Sequence, residues 1–227
     1  MKLLIQTASF LAVFAFSSPS LSQELSFVQL NAQAMASTKT QLKSDQLSPN
    51  AQRAYNSLVK SANKSLRMPV ESVTEKGLNP PSKDKHDYLS ISRYWWPDET
   101  KTDGLPWIRK DGKTNPATQS DQVDRGRLGR MVFSVRDLAL AYYFTNEEKY
   151  AKKAASFLET WYNNEATMMN PHLEYAQRVP GKNQGRRAGI LDGRLMAIHV
   201  LDAVRICRLY TSPSPLDRQK SRMPISD

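Results

Sequence analysis

The stretch R-G-R-L-G-R-M-V-F-S-V-R-D-L-A-L-A-Y-Y-F-T-N-E-E-K-Y-A-K-K-A-A-S-F-L-E-T-W, Arg125 to Trp161, decides the fold class. Leu128, Met131, Val132, Val135, Leu138, Ala139 and Tyr142 recur at three- and four-residue spacing, the repeat of one helix face. Thr145 or Asn146 then caps a second helix, with Glu147 and Glu148 in its first turn, where carboxylates meet the positive end of the helix dipole. Tyr150, Ala154, Phe157, Leu158 and Trp161 make its apolar stripe. Two helices joined by so short a turn pack antiparallel as a hairpin.

Upstream, residues from Glu24 to about Ser44 favour helix, with Phe27, Leu30, Ala34 and Ser37 or Thr38 on one face. Ser48-Pro49 is a good helix opening, serine as N-cap and proline in the first turn. The helix that follows presents Ala51, Ala54, Tyr55, Leu58 and Ala62 and stops near Met68-Pro69, with Tyr55 and Leu58 expected in the core. Downstream, a helix starts at Ile190 and carries Leu191, Leu195, Ile198, Val200 and Leu201, apolar almost all round. Such a helix needs neighbours on every side, and only part of that enclosure is present in the sequence. No fixed repeat period links the helical segments.

The ends read differently from the body. Met1-Lys2 and the apolar run Leu3 to Phe16 resemble an export signal, with cleavage expected before Gln23 and residues 1–22 removed. The run is shorter than the about 20 residues a spanning helix needs, so no stable membrane insertion is expected. Periplasm or secretion is the expected address. From Cys207 to Asp227 the chain turns Pro/Ser-rich and basic, and C-R-L-Y-T-S-P-S-P-L-D-R-Q-K-S-R-M-P-I-S-D resembles translated sequencing-adapter read-through. Residues 207–227 are therefore expected to be non-native, Cys207 included, and residues 23–206 to be the N-terminal part of a longer domain. The formal charge is +10, and the body stays basic once the tail and Lys2 are set aside. Such a balance suits an anionic partner, and export argues against nucleic acid.

Between Pro69 and about Asp124 lies a long proline-bearing stretch with only short apolar pieces, and a second runs from Asn163 to Gly189. Loops of that length in a compact domain are commonly functional. A hairpin or brief strand is expected near Tyr88 to Tyr94. Lys85 to Gly112 carries a His, two Tyr, three Trp, two Arg and three Lys, where an ordinary loop carries small polar residues. Flat rings stack on sugar faces, and Arg and Lys pair with carboxylates or phosphates. The helical hairpins and these loops together suggest an all-α, incomplete (α/α) toroid with its site on one rim.

K-H-D-Y-L-S-I-S-R-Y-W-W-P-D (85–98), G-L-P-W-I-R-K-D-G-K-T-N-P (104–116), M-N-P-H-L-E-Y-A-Q (169–177) and P-G-K-N-Q-G-R-R-A-G-I-L-D (180–192) resemble the alginate lyase domain of bacterial polysaccharide lyases. The likeness covers Ser82 to Ile206. It implies an incomplete α/α toroid whose C-terminal half is missing here. It also implies cleavage of a uronic-acid polymer by β-elimination. That reaction removes the C5 proton of a uronate and expels the oxygen at C4. It needs a neutraliser for the C6 carboxylate, a base near C5 and an acid for the leaving oxygen. The resemblance places the family's Asn-His pair beyond this sequence, so the fragment is expected to be inactive. It also places a substrate-contacting Lys at Lys85. No cofactor is implied, and no His/Asp/Glu spacing argues for a metal.

Other residues stand on their own chemistry. Tyr88 and Tyr94 are placed to reach sugar hydroxyls or to sit buried as structure. Trp95 and Trp96 point to opposite faces of an extended chain, one expected as a sugar platform and the other as core. Arg109 and Lys110 suit carboxylate binding. His172 and Tyr175 form a candidate acid/base pair, against a hydrogen-bonded structural His. Arg178, Arg186 and Arg187 are candidates to line an anionic groove, and His199 is expected to be structural. Two other classes stay open. One is a non-catalytic acidic-polysaccharide binder. The other is an α/α-toroid glycoside hydrolase, which needs two flanking carboxylates drawn from Asp98, Asp111 and Glu174.

Overall fold

A computed structural model describes residues 27–184 and 189–211. Among them five helices carry the fold: α1 (Ala32–Lys43), α2 (Pro49–Leu66), α3 (Arg125–Thr145), α4 (Glu148–Tyr162) and α5 (Ile190–Thr211). Helix α3 is the hub, packed against α2, α4 and α5. Its sequence says why: Leu128, Met131, Val132, Val135, Leu138 and Ala139 are all buried, as the spacing predicts. Helix α4 lays Tyr150, Ala154, Phe157 and Trp161 against the same core. The indole Nε1 of Trp161 donates to the Glu71 carbonyl at 2.7 Å, so a fully buried polar atom is satisfied.

The α3–α4 turn is tighter than expected. Asn146 closes α3 in the left-handed region (φ 58), and Glu147 is the N-cap of α4, leaving only Glu148 in its first turn. Thr145 serves the turn by accepting the Glu147 N–H at 3.1 Å. Helix α2 opens on Ser48 and Pro49, the serine side chain accepting from Ala51. Tyr55 and Leu58 are half-buried rather than core, because α2 packs on α3 further along, through Ala62 and Ser65. Helix α1 begins only at Ala32, capped by Asn31. The preceding Val28, Gln29 and Leu30 donate their backbone N–H groups to the Asp202 carboxylate at 2.6, 2.8 and 2.9 Å. Those donors are taken by a side chain of α5, so the chain there is a strap and not helix.

Helix α5 is enclosed on one side only. Val200, Ala203, Ile206 and Cys207 are buried, while Ile190 is 76% exposed and Leu191, Ile198 and Leu201 over 40%. The apolar circumference read from the sequence is therefore half covered. The helix runs unbroken through Cys207, whose thiol burial pushes up to about 11. His199 stacks obliquely on Phe133 with ring centroids 5.1 Å apart.

Four short strands lie in the two long loops: β1 (Leu89–Ile91), β2 (Trp95–Trp96), β3 (Ile108–Arg109) and β4 (Tyr175–Arg178). β1 pairs in parallel with β4, and β2 pairs antiparallel with β3. The strand expected near Tyr88 to Tyr94 is thus real, but its partner comes from the second loop. A buried pair anchors the first loop to the helices. Lys76 Nζ lies 3.2 Å from the Asp124 carboxylate just before α3, and neither side chain is exposed. Burial pushes the Asp124 carboxyl up to about 6 in spite of that ammonium, and burial likewise lowers Lys76. Asp124 also exchanges hydrogen bonds with the backbone of Leu89, its carboxylate accepting at 2.8 Å and its N–H donating at 2.8 Å. No described helix is long and apolar enough to cross a membrane.

Candidate functional site: two loops locked by a buried carboxylate

The loops meet over Asp192, in the first turn of α5 and wholly buried. Its two oxygens accept from Tyr88 Oη at 3.0 Å, Ser90 Oγ at 2.5 Å and Gln177 Nε2 at 3.0 and 3.1 Å, and they pair with Arg125 Nη1. One carboxylate therefore joins the first loop, the second loop, and the starts of α3 and α5. Gln177 holds a left-handed conformation (φ 56) at the point where the β1–β4 register shifts. A non-glycine residue is found there only when its surroundings hold it. Its N–H donates to Ser90 Oγ at 2.8 Å, and its side chain is held by Asp192.

A second set of ties runs further out. His86 Nδ1 is 2.7 Å from the Met168 carbonyl, and Asn170 N–H donates to the His86 carbonyl at 3.0 Å. Trp107 N–H donates to the Pro180 carbonyl at 3.0 Å. At Gly181 (φ 74) an added Cβ would lie 2.6 Å from Pro106 Cα, so the loops touch where only glycine fits.

The sequence-nominated residues fall into two groups. Tyr88 belongs behind the wall: it is fully buried, and burial pushes its phenol far above the ordinary range. Tyr88 therefore does not reach a sugar hydroxyl, and the buried structural reading is the one the fold realises. His172 is exposed but held in place. Its Nε2 is 3.0 Å from the buried Asp87 carboxylate, and its Nδ1 accepts the Glu174 N–H at 3.3 Å. Asp87 itself accepts from Asn170 at 2.6 Å and Ser82 at 2.6 Å. The imidazole is oriented, with both nitrogens engaged. Tyr175 stands edge-on to it, centroids 6.4 Å apart, and packs on the small core of Leu89, Ile91 and Val123.

The second group forms an outward rim. Trp95 and Trp96 are both half-buried and lie outside the core clusters, which corrects the assignment of one of them to the core. The β2–β3 ribbon sits at the edge of the domain, so each of its faces is partly open. Lys182 Nζ lies 4.6 Å above the Trp95 ring and Lys110 Nζ 5.4 Å from that of Trp96. Trp96 Nε1 donates to the Lys113 carbonyl at 3.0 Å. The core role falls to Trp107, which packs on Leu89 and Ile91. Tyr94 is half-buried beneath the Arg93 guanidinium, 5.6 Å from its ring. Arg109 pairs with Asp111 at 2.6 Å and Lys110 with Glu99 at 3.1 Å, all but Lys110 well exposed. Lys85 is exposed, its carbonyl accepting from Lys76 Nζ at 2.6 Å. Arg178 is half-buried, with an Nε that is buried and has no hydrogen-bond partner. Arg186 and Arg187 lie outside the described residues.

Sequence reasoning missed Asp192, Gln177, Asp87 and Lys182. A buried carboxylate hub has no sequence signature, because its four partners are scattered from residue 88 to residue 177. A cavity of about 1000 Å³ lies between α4, α5 and the second loop, lined by Leu158, Tyr162, Leu173, Met196 and Val200 together with His172 and Glu174. Its walls are mostly apolar. Among the described residues no group of three or more His, Cys, Asp or Glu side chains is placed to hold a metal.

A sequence model of the alginate lyase family matches residues 72–223. The crystal structure of an alginate lyase from Bacteroides ovatus is similar, with 42% sequence identity and a TM-score of 0.73. The match covers 83% of this chain and 48% of that one, so the chain spans about half the length of that lyase. No curated protein matches. The family match spans most of the chain, so this chain belongs to the alginate lyase family.

Proposed function

We propose that the chain supplies one wall of a polysaccharide lyase acting on an acidic polysaccharide such as alginate, in an incomplete α/α toroid. The observation that carries the reading is Trp95 and Trp96 beside Arg109, Lys110 and Lys182, on loops fixed from behind by Asp192, with Tyr94, Arg178 and Lys85 as further candidates on the same loops. Aromatic faces bind pyranose rings, and guanidinium or ammonium groups pair with the carboxylate that each uronate carries. In the elimination, C5–H breaks, its electron pair forms the C4=C5 double bond, and the C4–O bond breaks toward the leaving sugar. Charge that develops on the C6 carboxylate is met by cations held in place beforehand. Tyr88 acts as a support, and His172, exposed and oriented by Asp87, is a candidate for one of the proton-transfer roles. No cofactor enters the reading. Export through residues 1–22 belongs to the same proposal.

The test is incubation of a polypeptide extended to the length of the Bacteroides ovatus relative with alginate and other polyuronates. Unsaturated ends, seen as a rise in ultraviolet absorbance, support the reading. Reducing ends without that absorbance support the hydrolase alternative, and binding with no cleavage supports a carbohydrate-binding protein.

A further inference from the structure

Lys76 is wholly buried, and an ammonium taken out of water is costly unless each of its N–H groups finds an acceptor. Here all three do. Nζ donates to the Val73 carbonyl at 2.5 Å and to the Lys85 carbonyl at 2.6 Å, and it pairs with the Asp124 carboxylate at 3.2 Å. Asp124 in turn accepts the Leu89 N–H at 2.8 Å. One buried pair therefore grips the first loop at two points, the carbonyl of Lys85 and the N–H of Leu89. Between those points lie His86, Asp87 and Tyr88. The grip ends where the two loops meet. Asp87 is buried, and its Oδ1 lies 3.0 Å from His172 Nε2 in the second loop. Asn170 closes the same contact, its side chain donating to Asp87 Oδ1 at 2.6 Å and its N–H to the His86 carbonyl at 3.0 Å. The His172 side chain stays 45% exposed. Its Nδ1 accepts the Glu174 N–H at 3.3 Å, so in the neutral ring the proton sits on Nε2, toward Asp87.

We propose that Lys76 is a positioning residue for His172: with Asp124 it fixes residues 85–89, and through them the Asp87 carboxylate that orients the imidazole. Lys76 touches no substrate, since it has no exposed side-chain surface. Its reach is through the backbone. A site held from behind in this way keeps a reactive group within a fraction of an ångström of its working geometry. The proposal rests on the lyase reading for what His172 does, whereas the orientation of the ring is measurable without turnover.

The experiment is nitrogen NMR of the 227-residue chain with isotope-labelled histidine. A neutral imidazole held in one tautomer gives two well-separated ring-nitrogen signals, and tautomer exchange draws them together. The double variant Lys76→Met/Asp124→Asn removes both charges at once, so no lone ion is buried, and it keeps an acceptor for the Leu89 N–H. Its two His172 signals are expected to draw together in the same sense as those of Asp87→Ala. In the extended polypeptide the double variant should lower kcat by about 100-fold and change KM by less than about 3-fold. Unchanged His172 signals in the folded double variant overturn the proposal, as does a wild-type kcat. Should the double variant fail to fold, amide exchange of the wild-type chain decides. The N–H of Leu89, held by Asp124, and the N–H of Asn170, held by the His86 carbonyl, should then open together with one free energy. Asn170 opening independently of Leu89 overturns the proposal. Altered His172 signals in a chain whose extended form cleaves no polyuronate keep the positioning and remove the lyase.

Discussion

The two polar regions of the loop module are built on opposite terms. Behind the wall, Asp192 is fully buried and its partners come from four separate segments. On the rim, Arg109–Asp111 and Lys110–Glu99 are mostly exposed pairs between near neighbours in sequence. A buried carboxylate is costly unless satisfied, so every partner that reaches it is fixed in place. An exposed pair gains little and exchanges easily, which leaves its cation available to another carboxylate. One region sets geometry and the other is free to bind. Substitutions in each should therefore fail in different ways.

The largest effect is expected at Asp192. Asp192→Ala leaves Arg125 unpaired and Tyr88, Ser90 and Gln177 without their acceptor. It should lower unfolding free energy in urea by about 3–5 kcal/mol and release both loops together. Loss of less than about 1 kcal/mol would break the contrast between the two regions. Trp161→Ala should cost a similar amount, about 3–5 kcal/mol, but through a cavity at the core and an orphaned Glu71 carbonyl. Its hydrogen-exchange signature should fall on α3 and α4 rather than on the loops.

A smaller and pH-dependent effect is expected at Asp202. Burial alone would raise this carboxyl, yet the N–H groups of Val28, Gln29 and Leu30 hold it below the ordinary range. A depressed folded pKa means stability that is fully present above the unfolded value near about 3.9 and lost as pH falls through the folded one. Amide exchange at residues 28–30 should accordingly accelerate in acid. Asp202→Asn should show the fast exchange already at neutral pH. The smallest effect belongs to the rim: Arg109→Ala should change unfolding free energy by no more than about 0.5 kcal/mol while weakening binding of a uronate oligomer.

Much of the helical frame was legible because it rests on short-range rules. The three- and four-residue spacing of Leu128 to Ala139 and the Ser48-Pro49 opening state their outcome locally, and both helices form where that spacing puts them. The failures involve partners distant in sequence. The start of α1 is displaced because Asp202, more than 170 residues away, takes the N–H groups of residues 28–30. Trp95 and Trp96 share a rim position because β2 pairs with β3 at the edge of the domain, and nothing in the dipeptide says which Trp of the block will be core. Tyr88 is a chemically capable residue that its partner Asp192 holds buried as structure, and the Asp87 that orients His172 comes from the other loop. The site was legible as a composition, rings beside cations, and not as an arrangement.

The central claim is that this rim serves a uronate lyase, and ultraviolet absorbance of the extended polypeptide with polyuronate tests it most directly. A steady rise from C4=C5 unsaturation is expected on the polyuronate, none on the same polymer with its carboxylates reduced, and a slower rise for Trp95→Ala. New reducing ends with no rise in absorbance would contradict it.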